Sequence, residues 1–154
     1  MTTSNPAQIK AFLDMLGWSE GTTRISGSDN GYNVVVGGSL FNDYADHPQI
    51  MVDLPKLGIK SSAAGRYQLL GRYWKVYKVQ LKLPDFGHES QDAVAIQQIK
   101  ECKALGDIES GNIESAISKC SRIWASLPGA GYGQHEHKIG DLLNKFAESG
   151  GTIA

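Results

Sequence analysis

The stretch NPAQIKAFLDMLGWSEGTTR, residues 5–24, decides how the rest of the chain is read. Ile9, Phe12, Leu13 and Leu16 recur at the spacing that puts side chains on one face of a helix. Asn5 before Pro6 is a helix start: a capping side chain, then a residue whose missing N–H costs nothing in the first turn. Gly17 and Gly21 bracket the end of this helix, and Glu20 stands there beside Trp18 and Ser19. A carboxyl at a helix C-terminus faces the negative end of the dipole, and a neighbouring indole displaces water. Both effects disfavour the ionised form and raise the pKa, which is what a general acid needs at neutral pH. The same position also fits a solvated charge at a helix end, so other parts of the chain have to decide.

Outward from this helix, residues 21–33 are rich in Gly, Ser, Thr, Asp and Asn and read as a loop. Tyr32 to Val36, the pair Gly37-Gly38, and Ser39 to Tyr44 give a hairpin signal, which Asp46-His47-Pro48 breaks. Ile50 to Leu54 adds a third short strand, and residues 55–65 lack a period and read as a loop. Beyond Gly65 the chain is mainly helical. Arg66 to Leu81 carries Tyr73, Trp74 and Tyr77 at helical spacing, which reads as core, and Pro84 closes it. Ser90 reads as the cap of a following helix. Gly111 precedes a short helix with Ile113, Ala116 and Ile117, and Ile123, Trp124 and Leu127 form a short apolar piece. After a glycine-rich loop from Pro128 to Gly133, Ile139, Leu142, Leu143 and Phe146 mark a last amphipathic helix ended by Gly150-Gly151. The pattern predicts an α+β architecture, with a small antiparallel sheet inserted after helix one.

A chain of 154 residues, 41% hydrophobic, is long and apolar enough to bury a real core. Its net charge of −1 argues against broad electrostatic capture of nucleic acid or an anionic membrane. No apolar run reaches membrane-spanning length, and MTTSNPAQIK has neither the basic nor the apolar region of a secretory signal. The expectation is a protein that stays in the cytoplasm after synthesis unless something releases it. Cys102 and Cys120 are not a C-x-x-C pair and read as buried thiols.

Two further stretches carry binding chemistry. In Gly65-Arg66-Tyr67-Gln68 a small residue lets backbone approach a ligand and the Gln68 amide can both donate and accept, though the same residues also read as a helix N-terminal turn with a solvated Gln. Tyr132 lies among glycines and alanine, where an aromatic ring either packs on a ligand's apolar face or anchors the loop to the core. His135-Glu136-His137 does not make a metal site: positions i and i+2 do not share a helical face, and no third ligand is placed.

The strings KAFLDMLGWSEG at 10–21, GYNVVVGGSLFNDYADHP at 31–48, AGRYQLL at 64–70, SQDAVAIQQIKE at 90–101 and IWASLPGAGYGQ at 123–134 together resemble the lambdoid-phage endolysins, murein-degrading lytic transglycosylases of lambda type. The resemblance runs in order from about Lys10 to Thr152. Ser62-x-x-Gly65-x-x-Gln68 by itself resembles a pattern widespread in lytic transglycosylases.

This resemblance implies a single lysozyme-like domain over 1–154, with a small sheet lobe at about 25–60, a mainly helical lobe in the remainder, and a sugar cleft between them. It puts the catalytic acid on Glu20, and substrate binding on Gln68, Tyr132, Ser62, Tyr67 and Gly131. Residues 50–61 and 128–137 would form the mobile lips of the cleft. No metal and no cofactor are implied. The implied partner is the peptidoglycan glycan strand, cut at the MurNAc-β-1,4-GlcNAc bond with a 1,6-anhydro end. The implied protein is a monomer without nucleic acid or stable membrane association, made in the host cytoplasm and acting in the periplasm after release through a separate holin.

Two other functions fit the same residues: a hydrolytic muramidase with a second carboxylate, and a non-catalytic cell-wall binding module. Asp29, Asp43, Asp46 and Asp53 are the sheet-side carboxylates available to the first. Asp29, Asp43 and Asp46 have turn compositions that explain them otherwise.

Overall fold

A computed structural model describes residues 5–131 and 135–154. The chain divides into two compact units, one of Met1–Ser19 with Ile96–Ala154 and one of Glu20–Ala95. The elements in order are α1 (Pro6–Ser19), a 3₁₀ turn (Thr22–Arg24), β1 (Val52–Leu54), β2 (Ile59–Ser61), α2 (Gly71–Gln80), α3 (His88–Glu101), α4 (Leu105–Ser110), α5 (Ile113–Cys120) and α6 (Ile139–Glu148).

The first unit is helical and is built around α1. The Asn5 side chain accepts from Gln8 N at 3.4 Å, the capping expected at this start. Beyond the predicted face, Ala11 and Met15 are also fully buried, because α1 packs against both α4 and α6. Gln8 is buried too, and its amide closes the unit. It donates to Ile108 O and Thr152 O, both at 2.9 Å, and accepts from Thr152 N at 2.6 Å. Helix α6 ends as expected: Gly150 has φ +98°, and Gly151 N returns to Phe146 O. Trp124 is buried, and so are the free thiols Cys102 and Cys120.

The second unit holds the sheet. β1 and β2 pair antiparallel with Asp53 opposite Lys60. β2 falls inside the stretch read as a loop. Its residues are exposed or half-exposed, so no buried face imposes the alternation by which a strand is recognised. The Gly37-Gly38 turn is present, with both residues at positive φ and Val34 bridged to Leu40, but the pairing goes no further. α2 starts at Gly71 rather than Arg66, because Ala64 and Leu69 bridge each other and fold the intervening residues into a tight turn. α3 starts at His88, two residues before the expected cap. Ser90 lies in its first turn, with its hydroxyl on Asp85 Oδ1. Tyr73, read as core, is 47% exposed; Trp74 is buried and donates from Nε1 to Asp46 Oδ1 at 2.6 Å.

Phe86 centres the core of this unit, its ring against Phe41, Trp74 and His47. His47 Nε2 meets Leu69 O at 2.8 Å, and Nδ1 accepts from Gln49 N at 3.0 Å. A carbonyl only accepts, so the proton sits on Nε2 and the ring is neutral. Burial holds its pKa below the ordinary histidine value. The folded protein therefore resists a proton that the unfolded chain takes up below about pH 6.5. Stability contributed by neutral His47 is complete above that pH and is lost as pH falls toward the depressed folded pKa. Between pH 7 and 5, denaturant unfolding should show a steeper loss of stability for the wild type than for His47→Gln. Parallel pH profiles would contradict this assignment.

Candidate active site

Glu20 is placed by the end of α1. Ser19 is its last residue, Glu20 is half-buried in the following turn, and Gly21 has φ +82°. An ideal Cβ on Gly21 comes no nearer than 3.7 Å to Arg24, so glycine is required there by backbone angle and not by space. The chain then turns through Thr22–Arg24, and the buried Thr22 hydroxyl donates to Arg66 O at 2.6 Å. That bond ties the residues after Glu20 to the turn containing Gly65, Tyr67 and Gln68.

This turn is held from inside. Arg66 N donates to Gln91 Oε1 at 2.9 Å, Arg66 Nε donates to Asn30 O at 3.1 Å, and the guanidinium lies 5.3 Å from the Tyr32 ring centre. Tyr67 is buried, with its hydroxyl donating to Asp92 Oδ1 at 2.6 Å. Tyr32 donates to the same oxygen at 2.8 Å, and burial followed by the Asp92 charge pushes its pKa up to about 12. Both phenols stay protonated donors.

Gly65 serves this packing. Its φ is +87°, and a Cβ there would sit 2.5 Å from Gln91 Oε1 and 3.0 Å from the Phe86 ring. The close approach attributed to a ligand is thus made by Gln91. Gln68 sits at φ +54° and donates its amide hydrogens to Gly65 O at 2.9 Å and Val34 O at 3.3 Å. Its side-chain oxygen accepts no hydrogen bond among the described residues. The Ser62 hydroxyl accepts from Gly71 N at 2.9 Å, meeting one of the open donors at the start of α2.

In the first unit, Gly131 N and Gly129 N both donate to the Glu136 carboxylate at 3.0 Å, and those bonds hold its pKa below the usual glutamate range. Tyr132 lies outside the described residues. His137 Nε2 meets Ser19 O at 2.9 Å. These commitments occupy Glu136 and His137 of the His-Glu-His string.

The sheet-side aspartates all have partners. Asp29 accepts from Tyr44 at 2.7 Å and His88 at 2.6 Å, and these bonds, Tyr44 first, hold its pKa low. Asp43 accepts from Ala45 N at 2.8 Å. Asp46 accepts from Trp74 Nε1 and His47 N, which, Trp74 first, hold its pKa low. Asp53 lies 3.9 Å from Lys60 across the β1–β2 pair.

Sequence reasoning gave no structural role to Thr22, Gln91, Asp92 or Ser126, and weighed His137 only as a metal ligand and as part of a lip. Their partners stand far away in the chain, 44 residues for Thr22 and 118 for His137, and no local pattern signals such bonds.

A family model described as Endolysin matches residues 10–153. The chain is 61% identical over 149 residues to an endolysin of Escherichia phage lambda, covering 95% of this chain and 93% of that protein. It is 50% identical over 156 residues to an endolysin of Escherichia phage P2, covering 95% and 94%. Among solved structures it is similar to a bacteriophage lambda lysozyme complexed with a chitohexasaccharide, with a TM-score of 0.93, 58% identity and full coverage of both chains. A second bacteriophage lambda lysozyme structure gives a TM-score of 0.89 at 57% identity, again over both whole chains. The fold is α+β and lysozyme-like, mostly helical with one small antiparallel sheet.

Gly65→Ala should lower stability by about 2–4 kcal/mol, combining a left-handed backbone with overpacking against Gln91. Urea unfolding measures it. An unchanged midpoint would show that the turn relaxes without cost.

Proposed function

The chain belongs to the endolysin family, and from that premise we propose that it cleaves bacterial peptidoglycan as a lytic transglycosylase, with Glu20 as its one acid–base group. Glu20 protonates the glycosidic oxygen as the bond from the MurNAc anomeric carbon breaks, and the GlcNAc 4-hydroxyl leaves. The MurNAc 6-hydroxyl then attacks the same carbon and returns its proton to Glu20. Because that hydroxyl is already part of the sugar, ring closure has the advantage of an intramolecular reaction.

The observation that carries this reading over a hydrolytic one is the commitment of the sheet-side carboxylates. A glycosidase normally needs a second carboxyl, at about 5–5.5 Å for retention or roughly 6.5–9.5 Å for inversion. Asp29, Asp43 and Asp46 are each held by hydrogen bonds described above, and Asp53 is a solvent-exposed carboxylate loosely paired with Lys60 at 3.9 Å. The chitohexasaccharide named with the lambda lysozyme supports a site that takes β-1,4-linked amino sugars. Gln68 Oε1 is an acceptor open to a sugar hydroxyl, and Ser62, Tyr67, Gly131 and Tyr132 are the further substrate-binding residues of this proposal. No helix among the described residues is long and apolar enough to cross a membrane. From the family we infer further a monomer made in the host cytoplasm and released by a separate holin to act on the wall.

Glu20→Gln keeps the shape of the side chain but cannot transfer the proton. It should fold as the wild type does and lose roughly 10²–10⁴ of the lytic rate. Turbidity loss of chloroform-treated Gram-negative cells measures this; a rate within a few-fold of wild type removes Glu20 from the chemistry, and an inert wild type would indicate a binding module.

Mass spectrometry of the released muropeptides tests the product. Each cut should leave a 1,6-anhydro-MurNAc end, one water lighter than a hydrolysis product and silent in a reducing-sugar assay. Free reducing MurNAc ends would make the enzyme a muramidase.

A further inference from the structure

The last turn of a helix leaves carbonyls with no intrahelical donor, and α1 has no basic residue in its last turn to meet them. His137 does so from 118 residues away. Its Nε2 lies 2.9 Å from Ser19 O, and since a carbonyl can only accept, this nitrogen carries the hydrogen. His137 is itself held. Its backbone N–H donates to Ser126 O at 2.9 Å, and its ring lies 4.7 Å from the Trp18 ring. Ser126 adds a second tie, its Oγ 2.7 Å from the Oγ of buried Ser19. Trp18 and Ser19 are thus gripped through a ring, a carbonyl and a hydroxyl, all within the first unit.

Ser19 C=O and Glu20 N–H belong to one rigid peptide plane. Holding that carbonyl fixes the plane from which Glu20 departs, and Gly21 sets the left-handed turn on its other side. We propose that His137, steadied by Ser126, is a positioning residue for Glu20. In this role it acts through the Ser19–Glu20 peptide and sets where the carboxyl stands. This rests on Glu20 being the acid–base group. The reason for such a device is geometric: general-acid catalysis tolerates little displacement, and an error of about 1 Å can cost on the order of 10²-fold in rate.

The test compares His137→Phe, which retains a ring against Trp18 without the donor, with His137→Gln, which supplies an amide N–H. kcat and KM are measured on soluble uncross-linked glycan strands, counting new chain ends of either chemistry. His137→Phe is expected to lose about 10- to 100-fold in kcat with KM within about twofold, and His137→Gln to recover most of the loss. A glutamine amide is no proton-transfer group, so its recovery also rules out His137 as the acid–base itself. A His137→Phe enzyme with normal kcat, a loss confined to KM, or equal losses in both variants overturns the proposal.

If His137→Phe fails to fold, Ser126→Ala decides. It removes one hydroxyl and should lower kcat a few-fold with KM unchanged; an unaltered kcat overturns the proposal. Glu20→Gln is run alongside. If it remains active, the acid–base reading fails and positioning fails with it. If it is dead while His137→Phe is normal, only the positioning role is lost.

Discussion

The Gln91 side chain holds together the unit that contains Glu20. It is buried, accepts from Arg66 N at 2.9 Å, and donates to Tyr32 O at 3.0 Å and Phe86 O at 2.8 Å. This unit has one two-stranded sheet and much irregular chain, so many backbone donors and acceptors have no ladder to join. A carboxamide with both donor and acceptor atoms can serve them at several points at once. Gly65 leaves the room in which the amide sits, and Thr22 fastens the segment after Glu20 to the same place through Arg66 O. Removing one partner would leave the others buried and unsatisfied, which costs more than the bond itself contributes.

What could be read from the sequence follows from this division. α1, α5 and α6 announce themselves because each packs an apolar face at helical period. β2 does not, since it has no buried face, and α4 is only six residues long, too short to display a period. The tight turn before α2 escapes for another reason. Its shape comes from positive φ at Gly65 and Gln68, the latter a residue type with no preference for that region.

The candidate site shows the same contrast. Glu20 stands out in the sequence as a candidate because a helix end, an indole and two glycines lie within a few residues of it. The groups that hold its surroundings do not, because each acts across a long span of chain. The Gly65 pattern was legible as a need for smallness but not as to what approaches. That neighbour is Gln91, another part of the same unit. Polar residues with ordinary local surroundings carry most of the placement, while the apolar pattern carries the fold.

The two contacts of Gln8 with Thr152 join residues 144 positions apart, and α1 packs on α4 and α6, which come later in the chain. A helix made ahead of its partners therefore cannot pack until those later segments have been made. The unit of Glu20–Ala95 has its own core and can organise during that interval. The carbonyl before Glu20 waits longer, since its donor, His137, is among the later residues. A nascent or truncated chain lacking the later residues therefore holds Glu20 without the bond that fixes the carbonyl before it. Refolding from denaturant removes that delay, because every segment is present from the start.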